Sequence, residues 1–156
     1  MLLMEWIGIA VLIALDQVTK YLIASNPAGF LNKEIIPGFF YLTYVKNTVT
    51  AWSILSGQTM ILSLVSAVAV LAMLWALEKT RKEGKKLLFS ALVLMTAGAA
   101  GNLIDRLLLG FVRDFLNFYI FGYDFPVFNV ADICLCVGVG LLILHTILEP
   151  DSKETD

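Results

Sequence analysis

Two aspartates offer the most distinctive chemistry in this chain: Asp114 in the run FVRDFL and Asp132 in FNVADI. Each stands at the margin of a long apolar stretch. A carboxylate at the edge of a bilayer is costly to hold, so each needs a partner or a role. Two that converge on one membrane surface have the equipment for acid–base hydrolysis. At short range both cannot ionise cheaply, so they share a proton, leaving one as base for a water and the other as acid to a scissile carbonyl. That chemistry calls for no cofactor and no metal.

The elements that must position these groups are membrane spans. At 156 residues, with 59% hydrophobic and 15% charged residues, the chain is too apolar for an ordinary soluble domain. The reading is a single integral-membrane domain over residues 1–156, an all-α membrane protein with four transmembrane helices at about 5–23, 60–77, 87–109 and 130–148. The uncharged second stretch, Met60 to Leu77, would extend roughly 27 Å as a helix, close to the thickness of a hydrocarbon core. Pro150 stops the fourth. The first stretch begins with Glu5 and carries Asp16 and Lys20 inside it, so it is expected to remain as a span, not to be cleaved as a signal peptide. A net charge of -2 and the lack of a basic, aromatic-laced face argue against nucleic acid. Cys134 and Cys136, two apart on a helix, point in different directions and read as small apolar residues.

The loops set an orientation. EKTRKEGKK, Glu78 to Lys86, packs five Lys/Arg into nine residues, whereas the longer Ser25 to Gln58 connection has Lys33 and Lys46 alone. The short basic loop is therefore expected in the cytoplasm, with both termini, while the connections Ser25 to Gln58 and Gly110 to Asn129 lie outside. FFYLTYV, Phe39 to Val45, after the turn residues Pro37-Gly38, predicts a strand in a small extracytoplasmic sheet. In VRDFLNFYIF the spacing of Phe115, Phe118 and Tyr119 predicts a short amphipathic interfacial helix.

On this topology the polar groups collect at the outer side: Asp16, Lys20, Asn47, Asn102, Asp105, Arg106, Arg113, Asp114, Asn129 and Asp132. Each has a plain structural reading. Asp16 and Lys20 fit an i,i+4 ion pair. Asn102, Asp105 and Arg106 fit a salt-bridged helix end, and Asp105 with Arg106 reads as scaffold. Asn129 and Asp132 fit an N-cap with an acid in the first turn. Asp114 could be a surface acid paired with Arg113. Other catalytic inventories lack parts. His145 is the sole histidine and sits at the opposite end of the fourth span, so a His-based triad or zinc peptidase cannot be assembled. A Ser/Lys dyad at Lys20 has Ser25 or Ser53 as its partners. An all-aspartate magnesium site stays open chemically but needs a phosphate-bearing substrate. A small transporter using Asp16, Asp105 and Asp132 as a relay, and a non-enzymatic assembly subunit, are the rival classes. A relay should leave polar residues at several depths, and the second and fourth spans lack them in their inner halves.

Four runs, DQVTK (Asp16 to Lys20), NTVTAWS (Asn47 to Ser53), GAAGNLIDRLLLGFVRDFLNF (Gly98 to Phe118) and FPVFNVAD (Phe125 to Asp132), together resemble lipoprotein signal peptidase, also called signal peptidase II. They follow in order over nearly the whole chain. The resemblance implies a multi-pass aspartic endopeptidase of the bacterial cytoplasmic membrane, active at its outer face. It would cut diacylglyceryl-modified prolipoproteins just before the lipidated cysteine, without a cofactor and as a monomer in contact with membrane lipid. Asp114 and Asp132 match the catalytic pair; Asp16, Lys20, Asn47, Asn102, Asp105, Arg106 and Asn129 match supporting or substrate-contacting positions. One departure is Val49, which stands where the family pattern has glycine. A β-branched residue resists a positive φ, so substrate engagement by that loop is expected to suffer.

Overall fold

The computed structural model describes residues 2–48 and 59–149. Four helices dominate: α1 (Leu2–Ser25), α2 (Thr59–Glu83), α3 (Lys86–Leu109) and α4 (Val130–Leu148). Each contains a span-length apolar window: Trp6–Ser25, Met60–Glu83, Lys86–Leu109 and Val130–Leu148. Their outward surfaces are aliphatic, with Val11, Val68, Leu71, Leu108 and Ile147 all exposed. In water such a surface would be an aggregation liability; against lipid it is the solvated face. The polar groups are turned inward instead.

The second helix runs further than its hydropathy predicts. EKTRKE is built of good helix formers, Glu78 pairs with Arg81 and Lys82 one turn on, and basic residues suit a helix C-terminus. The basic connection is thus largely helical, and the chain turns at Gly84, whose φ is 70°.

α3 is the central helix and packs against each of the other three. Its buried stripe is made of small and polar residues, Ala91, Thr96, Ala97, Gly98, Gly101, Asn102 and Asp105 among them. Small residues let helix backbones approach closely. A Cβ at Gly98 would sit 2.4 Å from the Ala131 carbonyl oxygen on α4, and one at Gly101 would sit 2.6 Å from Oδ2 of Asp16 on α1.

At one end of the bundle stands an antiparallel sheet of order β1-β2-β3-β4: β1 (Lys33–Ile36), β2 (Phe40–Asn47), β3 (Val112–Ile120) and β4 (Tyr123–Asp124). The sheet and the strand over Phe39 to Val45 agree with the sequence, with Gly38 turning the chain at φ 68°. The interfacial helix does not. Val112–Ile120 is strand, paired with β2 from Phe40↔Phe118 to Asn47↔Val112. Phe118 is held by rings from three directions, stacking on Phe40 at 4.6 Å and on Phe128 at 5.6 Å and meeting Phe39 edge-on at 5.4 Å. Cross-strand packing of this kind outweighs a local periodicity. FGYD forms the β3–β4 hairpin, with Phe121 and Gly122 both at positive φ as a two-residue type I′ turn requires.

Candidate active site

The carboxylates of Asp114 and Asp132 are brought together by a short piece of backbone. α3 ends at Gly110, left-handed at φ 80°, and the chain enters β3 directly. Further on, Phe128 pairs with Leu116 of β3 through two backbone bonds of 2.8 and 3.0 Å, and its carbonyl also accepts the Phe115 N–H at 3.0 Å. The next residue, Asn129, is therefore set beside β3 just as α4 begins. Asn129 caps that helix: its side-chain oxygen accepts the Asp132 N–H at 3.0 Å while its own N–H donates to Asp132 Oδ2 at 3.1 Å. This is the capping box the spacing predicts.

Asn129 does more than cap. Its amide nitrogen donates to Asp114 Oδ1 at 2.6 Å, so one fully buried asparagine joins both carboxylates. The remaining oxygens are held by two further asparagines. Asn47, at the end of β2, donates to Asp114 Oδ2 at 2.8 Å, and Asn102 of α3 donates to Asp132 Oδ1 at 2.7 Å. Asn102 in turn accepts from Asn129 at 3.1 Å and from the Lys20 ammonium at 3.0 Å.

Beneath this layer lies a buried charge cluster. Lys20, with no exposed surface, pairs with Asp16 at 2.9 Å and lies 3.7 Å from Asp105. Asp16 also accepts the Ala131 N–H at 2.9 Å, tying α1 to the first turn of α4. A buried charge of this kind is tolerable only when paired and hydrogen-bonded, and here it is both.

Asp105 is where the local expectation fails. Its ion-pair partners are Lys20 and Arg113, not Arg106. Arg113 grips it through the backbone N–H at 2.9 Å, Nε at 3.1 Å and Nη2 at 2.7 Å. Successive residues of a strand point to opposite faces, so Arg113 turns to Asp105 while Asp114 turns to the asparagines. Asp114 is accordingly not a surface acid paired with Arg113; it is 2% exposed. Arg106 is half-buried, with Asp132, Asp114 and Asp105 as its neighbouring charges. Gln17, which sequence reasoning passed over, donates to Asp16, the Gly101 carbonyl and Asp105 and accepts from Arg113. Its one signal was its place inside DQVTK. Val49 and Ser53 lie outside the described residues.

Burial pushes the Asp114 carboxyl up to about 6, and the neighbouring Asp132 charge adds to the rise; the amide donors of Asn47 and Asn129 and the Lys20 cation oppose it. A carboxyl so placed can carry a proton near neutral pH and give it up again. Among the described residues, no three His, Cys, Asp or Glu side chains are grouped as metal ligands would be. His145 is buried at the far end of α4, 3.6 Å from Glu149. Cys134 is buried and Cys136 exposed, both as free thiols.

Residues 8–148 match the family of signal peptidase (SPase) II. The chain belongs to the signal peptidase II family. It is 49% identical over 138 residues to a lipoprotein signal peptidase of Symbiobacterium thermophilum, covering 88% of this chain and 90% of that one. With the lipoprotein signal peptidase of Bacillus subtilis the identity is 39% over 145 residues, covering 93% and 94%. A solved structure described as a bacterial membrane enzyme superposes with a TM-score of 0.84 at 35% identity, covering 98% of this chain and 93% of that one. Membership of this peptidase family, together with the four apolar helices, makes the chain a multi-pass membrane protein.

Proposed function

We propose that this protein is an aspartic endopeptidase that removes signal peptides from bacterial prolipoproteins, cutting before the diacylglyceryl-modified cysteine, with Asp114 and Asp132 as the catalytic pair. The observation that carries this reading is the single asparagine, Asn129, hydrogen-bonded to both carboxylates at one end of a membrane bundle. Two acids held in a common network, one of them shifted to about 6, are poised to share a proton.

The division of labour follows from their surroundings. Asp114 is the more enclosed, and burial favours its neutral form, so it carries the shared proton and donates to the scissile carbonyl oxygen. Asp132, half-exposed, takes the proton from an attacking water. As the tetrahedral gem-diol breaks down, Asp132 passes its proton to the leaving amine nitrogen and a hydroxyl of the intermediate returns one to Asp114 as the C–N bond breaks and the carboxyl product forms. Substrate closing over the pair removes water and strengthens the preference of Asp114 for its proton. Asn47, Asn102 and Asn129 hold the carboxylate planes, while Asp16, Lys20, Asp105 and Arg106 fix the elements that carry them.

Residues 1–156 act as one peptidase domain in this proposal. The basic α2–α3 turn and both termini face the cytoplasm, and the sheet and carboxylates face outward, where the lipid chains of the substrate stay in the bilayer and present the cysteine at headgroup depth. The protein works as a monomer without a cofactor. The test is purified protein with two forms of one precursor, diacylglyceryl-modified and unmodified at the cysteine. Cleavage of the modified form alone is expected; equal cleavage of both, or of neither, overturns the substrate assignment.

A further inference from the structure

At the end of the bundle away from the carboxylates, α2, α3 and the turn between them border an open pocket of about 330 Å³ lined by Thr80, Arg81, Gly84, Lys85, Lys86, Phe89 and Ser90. Among the described residues the lining holds three cations, Arg81, Lys85 and Lys86, and no acid. That volume lies within the range of small-ligand sites. We propose that it binds the phosphodiester headgroup of an anionic phospholipid from the leaflet on that side.

Three observations converge on this ligand. The first is depth. The uncharged part of α2 ends at Leu77 after roughly 27 Å of helix, close to a hydrocarbon core, so Thr80 to Gly84 emerge at headgroup level. Trp75 is exposed one turn before, with the Lys79 ammonium 5.9 Å over its ring, as a side chain anchored at the interface would be. The second is hydrogen bonding. Arg81 gives one terminal nitrogen to Glu78, but its Nε is buried and finds no acceptor among the described residues. Nε itself is shut off from the cavity, but the Arg81 side chain is 24% exposed and lines it, and a phosphate oxygen is the acceptor that a planar guanidinium suits. The third is charge. Lys86 opens α3 with no acid in the first turn, and Lys85 before it makes no side-chain cap, so the positive end of that helix adds to the cations already facing the cavity.

Two of these cations already have acidic partners at the edge of the cavity, Glu78 for Arg81 and Glu83 for Lys85. Glu78 lines the adjoining cleft with Trp6, Ile9 and Leu74, and Glu83 is 3.1 Å from Lys85 without lining the cavity. That adjoining cleft is about 30 Å³, too small for an acyl chain, so recognition is confined to the headgroup and the chains remain among the bulk lipid. The site is separate from the proposed peptidase chemistry, and its test uses no substrate.

The test is lipid retention by the whole protein in a neutral detergent, read by native mass spectrometry during titration with phosphatidylglycerol, phosphatidylcholine or inorganic phosphate. Three proteins are compared: wild type, the triple variant Arg81→Gln/Lys85→Gln/Lys86→Gln, and Lys79→Gln/Lys82→Gln, which removes two exposed charges from the same helix outside the lining. One phosphatidylglycerol should be held by wild type. Affinity should fall at least about tenfold in the triple variant and by about threefold or less in the double. Helix content checks that the triple variant folds; should it not, the exposed Lys86→Gln alone should weaken binding while Lys79→Gln does not. Equal affinity in wild type and triple variant, equal loss in both multiple variants, or retention of phosphatidylcholine as strong as phosphatidylglycerol would overturn the proposal. Inorganic phosphate displacing the lipid at equal concentration would show a free-anion site and overturn it too.

Discussion

Two glycines in the helices answer the same substitution in opposite directions. A Cβ at Gly101 would fall 2.6 Å from Asp16 Oδ2 and 3.2 Å from the Ala131 side chain, whereas one at Gly140 meets nothing within 4 Å. Replacing a helix-interior glycine with alanine restricts the unfolded chain and is worth about 0.5–1 kcal/mol. At Gly140 that gain stands alone. At Gly101 it is set against overpacking of about 1–3 kcal/mol. It is also set against displacement of a carboxylate that holds the Ala131 N–H and Lys20, each at 2.9 Å. Hydrogen bonds to charged groups contribute about 1.5–3 kcal/mol, so the net destabilisation is about 1.5–5.5 kcal/mol. At about 2–4 °C per kcal/mol for a chain of this size, Gly101→Ala should unfold roughly 3–22 °C lower in detergent and Gly140→Ala slightly higher than wild type. Precursor cleavage should drop in the first and persist in the second, because Asp16 positions the first turn of α4 and with it Asp132. Gly101→Ala with unchanged melting and full cleavage would refute the view that the close approach of α1 and α3 holds the site.

Lys20→Met should cost about 3–5 kcal/mol, since it leaves Asp16 and Asp105 buried without their shared cation; thermal unfolding reads this directly. Arg113→Lys keeps the charge but loses the fork on Asp105, so its melting temperature should fall between those of wild type and Arg113→Leu. Folding raises the Asp114 carboxyl from 3.8 to about 6, so the folded protein holds this proton more tightly than the unfolded chain. The sign is therefore a loss of stability as pH rises from about 4 to about 6, of roughly 3 kcal/mol. Melting curves across that window should show the step in wild type and lack it in Asp114→Asn.

Hydropathy made the spans legible because a bilayer demands length and apolarity, and both are local properties of sequence. The Asn129–Asp132 cap and the Asp16–Lys20 pair were legible for the same reason: three- and four-residue spacings determine neighbours on a helix. β3 was not. In VRDFLNFYI the polar Arg113 and Asn117 are four apart and the aromatics repeat like a helical face, while the decisive contacts come from Phe40 and Phe128, distant in sequence. The partner of Asp105 is hidden from local sequence for the same reason. Its real partner became available once the chain reversed at Gly110 into a strand, which brought Arg113 back over the end of α3. The extent of α2 was hidden by charge, since a basic run reads as a loop until its i,i+3 and i,i+4 pairs are considered.

The central claim is that Asp114 and Asp132 form one catalytic unit, and turnover of a diacylglyceryl-modified precursor by purified Asp114→Asn, Asp132→Asn and the double variant tests it most directly. Each substitution preserves size and removes the acid–base function. Either single change should abolish cleavage, the double should be no worse than either single, and all three proteins should keep wild-type helix content. Substantial cleavage by either folded single variant would contradict the claim.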